Sequence, residues 1–407
     1  MRIWAILVAT TALAACSGGG PQTASSTPPP ATPNQVHSFV TPLAAKTYVG
    51  VGGSQVFQYS TDDRNCCGQQ AQTFAGNATS VRNSSISIAY DPRDAIFTLT
   101  VTDPKSGADT QTRFQDPASR TDFSGTLEPQ WGTPNLNNPN IRYLQAGDGD
   151  PLSPYRASGT GAINPGDNHN AAIGTDGSTY QATSFFYEVP GSTTKYVTYA
   201  GYVRNSMSWH NIQIGTQDAF QATWKLERGA FAYGEMTNAS AVPKTGSGSY
   251  TGSMLATMVY NPTFDGVYQG SAVAELPTFF QWISGTSKLD VDFGASTLTA
   301  TLNGTVFAPQ VDYFTDSSAS ILPAGTTFTA SGTGRIDLVN AGGFIGVFNS
   351  AGFTAPGGGD HPVDIAGSSL DGAFYGPAAE EVGGGFRIVG GTPDQRIDIL
   401  GAFTGKK

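Results

Sequence analysis

An all-β protein is what this sequence predicts, on three observations. Glycine is abundant, at 51 of 407 residues, while charged residues make up only 13% and aromatic residues 11%. Such a composition belongs to turn-rich sheet rather than to helix. Several stretches alternate apolar and polar residues with period two, the signature of half-buried strands. No amphipathic run of helical period is longer than about ten residues.

The N-terminus reads as a targeting segment, not as part of the fold. Residues 1–16 have the form of a bacterial lipoprotein signal: Arg2 gives one positive charge, and Ile3 to Leu13 form a short apolar core. That core is too short to span a bilayer, which takes about 20 residues. Leu13-Ala14-Ala15-Cys16 is a lipobox, in which small residues fit the signal peptidase and the Cys16 thiol accepts diacylglycerol. Cys16 is therefore the expected lipidation site, holding the chain to outer-membrane lipid; each buried methylene of its acyl chains contributes about 0.8 kcal/mol. Ser17 follows it, and a residue other than aspartate there favours the outer membrane in enteric bacteria. Residues 17–43 are rich in Pro, Gly, Ser and Thr and carry no charge, which makes them an extended tether.

Residues 44–228 are expected to form a first β domain. Ile86, Ile88 and Tyr90 alternate with small or polar residues, Asp91-Pro92-Arg93-Asp94 turns, and Phe97, Leu99 and Val101 alternate with Thr: a hairpin. A second hairpin joins Tyr180–Val189 to Lys195–Val203 through Pro190-Gly191-Ser192-Thr193. Residues 115–178 between them are rich in Pro, Asn, Gly and Asp with little β pattern, as functional loops are. Trp131, Tyr143 and Tyr155 place three amphipathic rings there and are the candidate ligand contacts. Each ring could equally pin its loop by local packing. Cys66 and Cys67 are adjacent in a polar loop, with no CxxC spacing for zinc; in an oxidising envelope they are expected to form a vicinal disulfide.

Residues 229–407 are expected to form a second β domain. Leu289, Val291 and Phe293 alternate with Asp290 and Asp292, Gly294-Ala295-Ser296 turns, and Leu298, Ala300 and Leu302 alternate with Thr. One face is apolar and one polar, and a water-soluble barrel turns the apolar face inward. The aspartates would be costly against lipid, which argues against a membrane-spanning barrel.

Chemistry is sparse. The net charge is −10, which makes nucleic acid a poor partner. The four histidines, His37, His169, His210 and His361, have no carboxylate or second histidine at metal-ligand spacing. The sequence has no HExxH, GxSxG, P-loop or Rossmann fingerprint. Neither a catalytic site nor a metal site is expected, and no cofactor.

The most specific stretch is Asp371 to Phe386. Phe374 and Tyr375 point to opposite faces of a strand that stops at Gly376-Pro377. Pro377, with Glu380 and Glu381 behind it, suits one short helical turn. Gly383, Gly384 and Gly385 allow a close backbone approach or a bulge. Glu380 and Glu381 read as structural rather than as an acid/base pair.

This run resembles the last hairpins of the barrel in transferrin-binding-protein-B-like surface lipoproteins of Gram-negative bacteria, where a Phe-Tyr-Gly-Pro strand end, an Ala-Glu-Glu turn and a Gly-rich strand recur. Phe231-Ala232-Tyr233-Gly234-Glu235-Met236-Thr237, with Pro243, Gly246, Tyr250 and Gly252 after it, resembles the start of the same domain. The resemblance implies a handle-like β domain followed by a soluble eight-stranded antiparallel barrel, in a single-lobe member. It implies a non-enzymatic lipoprotein, displayed at the cell surface, that captures a ligand. Haem or iron would be cargo, and a TonB-dependent receptor would receive it. An adhesive or structural surface lipoprotein is the alternative.

Overall fold

The computed structural model describes residues 39–62, 70–115, 120–121, 132–147, 177, 179–262, 278–309, 320–391 and 395–407. The lipobox with Cys16, the Cys66–Cys67 pair, Trp131, Tyr155, His37 and His169 lie outside the described residues.

The described residues form nineteen strands in two antiparallel sheets, both within the compact unit Ser38–Lys407. The first sheet holds β1 (Lys46–Asp62), β2 (Gln70–Ala78), β3 (Ile86–Asp91), β4 (Ile96–Thr102), β5 (Asp109–Gln115), β6 (Arg120–Thr121), β7 (Ile141–Gly147), β8 (Thr179–Glu188), β9 (Val197–Ile214) and β10 (Gln217–Gly234). Its order is β5-β4-β3-β1-β10-β9-β8-β7-β6, and the sheet curls into a half-barrel. The 17-residue β1 changes partner along its length: Lys46–Gly50 pair with β3, and Gly53–Ser60 pair with β2.

Both hairpins expected here form, with Ile88 opposite Leu99 and Tyr187 opposite Ala200. Two strands in the stretch read as loop, β6 and β7, carried too short an alternating pattern to stand out between Pro- and Asn-rich flanks.

The second sheet holds β11 (Ser247–Pro262), β12 (Phe279–Asp292), β13 (Thr297–Val306), β14 (Thr327–Asp337), β15 (Gly343–Thr354), β16 (Asp360–Pro362), β17 (Asp364–Tyr375), β18 (Glu381–Gly391) and β19 (Gln395–Lys406). Pairing of β14 with β15 closes the ring, so eight strands form a barrel and the three-residue β16 is appended to β15. This is the eight-stranded antiparallel barrel the sequence led us to expect. Its interior is filled by side chains such as Met254, Tyr260, Ile283, Leu289, Leu302, Phe328, Phe344, Phe374, Phe386 and Phe403. Leu289 lies opposite Ala300 in the expected β12–β13 hairpin.

The outward face of the barrel is not uniformly polar. On β13 and β14 it is exposed and carries Thr297, Thr299, Thr301, Thr327, Thr329 and Ser331. On β11, β12, β17 and β19 it carries Leu255, Val259, Phe280, Trp282, Tyr375 and Ala402, all buried against β9, β10 and β1 of the first sheet. Two apolar patches make this wall. One joins Tyr143, Phe186, Val203 and Ala232 to Leu255, Trp282 and Tyr375; the other joins Phe57, Tyr59, Trp209 and Leu226 to Val259 and Phe280. Burial of a large side chain contributes roughly 1.5–3 kcal/mol, so the wall is a second core rather than a loose contact.

The segment Phe231–Gly234, read as the start of the second domain, completes β10 of the first sheet. The barrel strands begin at Ser247. Phe231 and Tyr233 are drawn into the apolar interior of the half-barrel, whereas Ala230 and Ala232 face the wall. One helical expectation fails: residues 376–379 form a turn. Gly376 (φ 87°) and Ala379 (φ 60°) take left-handed backbone, which a right-handed helical turn cannot contain.

Candidate functional site

The Asp371–Phe386 motif is a joint between the two sheets. Its strand end meets the other family-like segment directly: Thr237 N–H donates to Phe374 O (2.8 Å), Thr237 Oγ1 to Gly376 O (2.6 Å), and Gly376 N–H to Glu235 O (3.0 Å). Two segments about 140 residues apart thus share one hydrogen-bonded junction.

Glu381 is buried, and its carboxylate caps the start of β9. Oε1 accepts from Lys195 N–H (2.6 Å), and Oε2 from Tyr196 N–H (2.7 Å) and Val197 N–H (3.1 Å). Glu380 Oε2 accepts from Ala378 N–H within the turn. Both carboxylates are thus engaged by backbone N–H groups. Gly383 and Gly385 face the first sheet. A Cβ on Gly385 would lie 2.4 Å from Gly52 Cα, so two backbones touch there. The glycine run serves close approach; the register shift of the β17–β18 pair lies elsewhere, between Ile365 and Gly367. Gly384 faces the barrel ring Phe403.

Polar groups also cross the wall. Gln55 Nε2 donates across it to Asp398 O (2.7 Å), while Arg387 on the neighbouring barrel strand grips the Asp398 carboxylate with two bonds (3.0 and 2.7 Å). Trp282 Nε1 donates to Gly132 O, and Val81 N–H to Asp371 Oδ1 (both 2.7 Å). Burial pushes the Asp371 carboxyl up to about 6, against the opposing pull of the Val81 N–H. The folded chain therefore takes up a proton, as pH falls from about 6 towards 4, before the unfolded chain does. Stability from this group is full below that window and is lost as pH rises through 6. Partial exposure limits the gain to about 1 kcal/mol. Urea unfolding at pH 5 and 7 should show this increment in the parent and not in Asp371→Asn; an equal pH-dependent change in unfolding free energy in the two proteins would exclude it.

Tyr375 packs in the wall, fully buried, while Phe374 beside it fills the barrel. No partner for the Tyr375 hydroxyl is found among the described residues. Tyr375→Phe should therefore leave stability unchanged or raise it by about 1 kcal/mol, whereas Tyr375→Ala should cost about 2–4 kcal/mol. Loss of stability in the Phe variant, measured by thermal unfolding, would mean that the hydroxyl is bonded.

Of the three candidate ligand rings, Tyr143 is described. Its ring stacks on Phe186 (5.6 Å between centroids) inside the wall. Its hydroxyl donates to Pro134 O (2.9 Å) and accepts from Leu136 N–H (3.2 Å). Tyr143 pins residues 132–140 and does not present its ring outward. His210 is exposed on β9. Among the described residues no group of three or more His, Cys, Asp or Glu could hold a metal ion.

An aromatic pocket that the sequence did not reveal lies at one end of the half-barrel. A pocket of about 150 Å³ is lined by the rings of Phe39, Tyr48, Tyr90, Phe97, Tyr187 and Tyr233. Phe39, assigned by the sequence to the tether, is buried; its ring meets Tyr48 (5.2 Å, 79°) and Tyr233 (5.7 Å, 80°) edge-on. Beside the pocket, Glu235 binds Lys46 Nζ (2.5 Å) and takes a long hydrogen bond from the Tyr48 hydroxyl (3.4 Å). Burial, then the Glu235 charge, pushes the Tyr48 hydroxyl well above its ordinary value, and burial does the same to Tyr233. Both phenols stay neutral at physiological pH. A cavity this small is below the usual range for drug-sized ligands, roughly 300–1,000 Å³, and admits a head group rather than a macrocycle.

Residues 242–407 match the family model described as "C-lobe and N-lobe beta barrels of Tf-binding protein B". The barrel is of the transferrin-binding-protein-B type. Among solved structures, the chain is similar to a Trp-176-Ala mutant of transferrin-binding protein B from Haemophilus parasuis Hp5 (16% identity, 89% of this chain and 76% of that one, TM-score 0.29). It is also similar to intact Ap-TbpB with N and C lobes (13%, 89% and 77%, 0.27) and to the isotype 1 protein of serogroup B Neisseria meningitidis (11%, 89% and 76%, 0.22). No curated protein matches the chain. In this transferrin-binding-protein-B-type barrel, the family-like residues Tyr375, Gly376, Glu381, Gly383 and Gly385 all lie on the joint with the first sheet.

Proposed function

We propose that the chain is a lipid-anchored surface protein of the outer membrane that captures a ligand and performs no chemistry on it. The observation that carries this reading is the match of residues 242–407 to the transferrin-binding-protein-B barrel. The lipobox ending at Cys16 supports the anchor, and the uncharged tether of residues 17–38 supports a body held away from lipid. The wall between the sheets supports the binding role, because a rigid scaffold fixes the spacing of the loops it carries.

The cargo proposed is an iron or haem source, passed on to a TonB-dependent transporter; transferrin itself need not be the ligand. Protein purified from native membranes tests this through co-purified ligand, read by absorbance and mass spectrometry. A second reading, adhesion to a neutral polymer, is favoured by the exposed Thr and Ser rows of β13 and β14, whose outward charges are confined to the Arg335–Asp337 end of β14. Ligand-free protein that is retained on a polymer column would decide for it.

Cys16→Ala should move the protein from the membrane fraction to the soluble fraction. A variant that stays with membranes after a carbonate wash would remove the lipid anchor from this proposal.

A further inference from the structure

The aromatic pocket of the half-barrel has the chemistry of a cation cage. Its rings do not form one stack. Phe39 stands nearly perpendicular to both Tyr48 and Tyr233, and Tyr48 and Tyr233 are tilted by 52°. On the other side Phe97 lies 4.5 Å from Tyr90 and 4.8 Å from Tyr187, at 33° and 45°. Rings so inclined to one another line the same small space, and a π face turned to it carries the negative end of the ring quadrupole.

Beside the pocket lies the Glu235 carboxylate, which accepts a long hydrogen bond from the hydroxyl of the lining residue Tyr48. The chain already places an ammonium there: Lys46 Nζ lies 2.5 Å from Glu235 Oε2 and 5.4 Å from the centre of the Tyr48 ring. Lys46 is itself half exposed, so this ammonium sits at the rim and can move away.

We propose that this pocket binds a quaternary or N-methylated ammonium group, with the six rings as its cage and Glu235 as its counter-charge. Such a cation donates few or no hydrogen bonds and is weakly hydrated. It loses little by leaving water and gains from several ring faces at once. An anion would meet the Glu235 carboxylate. The volume of about 150 Å³ suits a trimethylammonium head group and excludes haem from this pocket. The inference stands apart from the membrane anchor and from any larger cargo, since it concerns only the first sheet and the segments at Phe39 and Glu235 that flank it.

The test uses the purified full chain in a detergent without an ammonium group, with circular dichroism to verify folding of every variant. Choline is titrated against its neutral isostere 3,3-dimethylbutan-1-ol, and binding is followed by tyrosine fluorescence and by ligand NMR. Choline should bind saturably and at least about tenfold more tightly than the alcohol. Glu235→Gln should weaken choline and leave the alcohol unchanged. Lys46→Gln should tighten choline several-fold by removing an ammonium that competes for the same place. Tyr90→Leu, at a partly exposed ring, should weaken choline while the fold is kept. Equal affinity for choline and alcohol would make the pocket merely apolar and overturn the proposal. So would the absence of saturable binding, or choline binding that ignores both Glu235→Gln and Tyr90→Leu.

Discussion

Replacing Glu381 with alanine is expected to lower stability by roughly 3 kcal/mol or more. Its carboxylate accepts three backbone N–H groups at the start of β9, from Lys195, Tyr196 and Val197. Each partly or fully buried donor left without an acceptor costs about 1–3 kcal/mol, and water reaches only the outer ones. Glu381→Gln is expected to recover part of the loss, because its amide oxygen can still accept from Tyr196 and Val197 N–H while its NH2 group faces the Lys195 N–H. Urea denaturation measures the effect, and a loss below about 1 kcal/mol would show that the cap contributes little.

Gly385→Ala is expected to be comparably severe for a different reason. The added methyl would sit 2.4 Å from Gly52 Cα and 2.7 Å from Gly52 N, and backbone cannot swing aside as a side chain can. Overpacking in a core typically costs 1–3 kcal/mol, and roughly 3 or more is expected when both opposing elements are sheet backbone. Gly367→Ala is the control, since nothing lies within 4 Å of its Cβ position. Limited proteolysis should cut the Gly385 variant at the junction and spare the control. Equal melting temperatures for the two variants would refute backbone contact as the reason for glycine at 385.

Much of this fold was legible because each hairpin writes its own alternation. Leu289-Val291-Phe293 and Leu298-Ala300-Leu302 show which face is inside before any partner is known. The wall was not legible, because it buries the other face of the same strands. Met254-Leu255-Ala256-Thr257-Met258-Val259-Tyr260 sends Met254, Ala256, Met258 and Tyr260 into the barrel, with Leu255 and Val259 into the wall. A run apolar on both faces fits a doubly covered strand, and periodicity alone cannot name what covers it.

The joint motif was found by its residue types, but its partner Gly52 lies in a Gly-rich strand start that gave no such sign. The aromatic pocket was missed for a related reason. Phe39, Tyr48, Phe97, Tyr187 and Tyr233 come from five separate segments, and only the order β4-β3-β1-β10-β9-β8 brings them together. The alternation Phe231–Tyr233 and Phe185–Tyr187 was the available signal, one face of each strand being aromatic.

The pairing of β11 with β19 has a consequence for the order in which the chain can assemble. Val51 must find Ala232 to complete the first sheet, and Thr251 must find Lys406 to close the barrel. Both are distant contacts, which are slow to form because the loop entropy must be lost before the ladder can be gained. The first sheet has all its strands once residue 234 has emerged, whereas the ring stays open until β19 arrives. During that interval Phe57, Trp224 and Leu226 face solvent, and β11 and β18 are bare edges. A chain stalled or cut between residues 262 and 395 would hold a finished half-molecule with its stickiest face uncovered, so a holding chaperone is needed most at that stage.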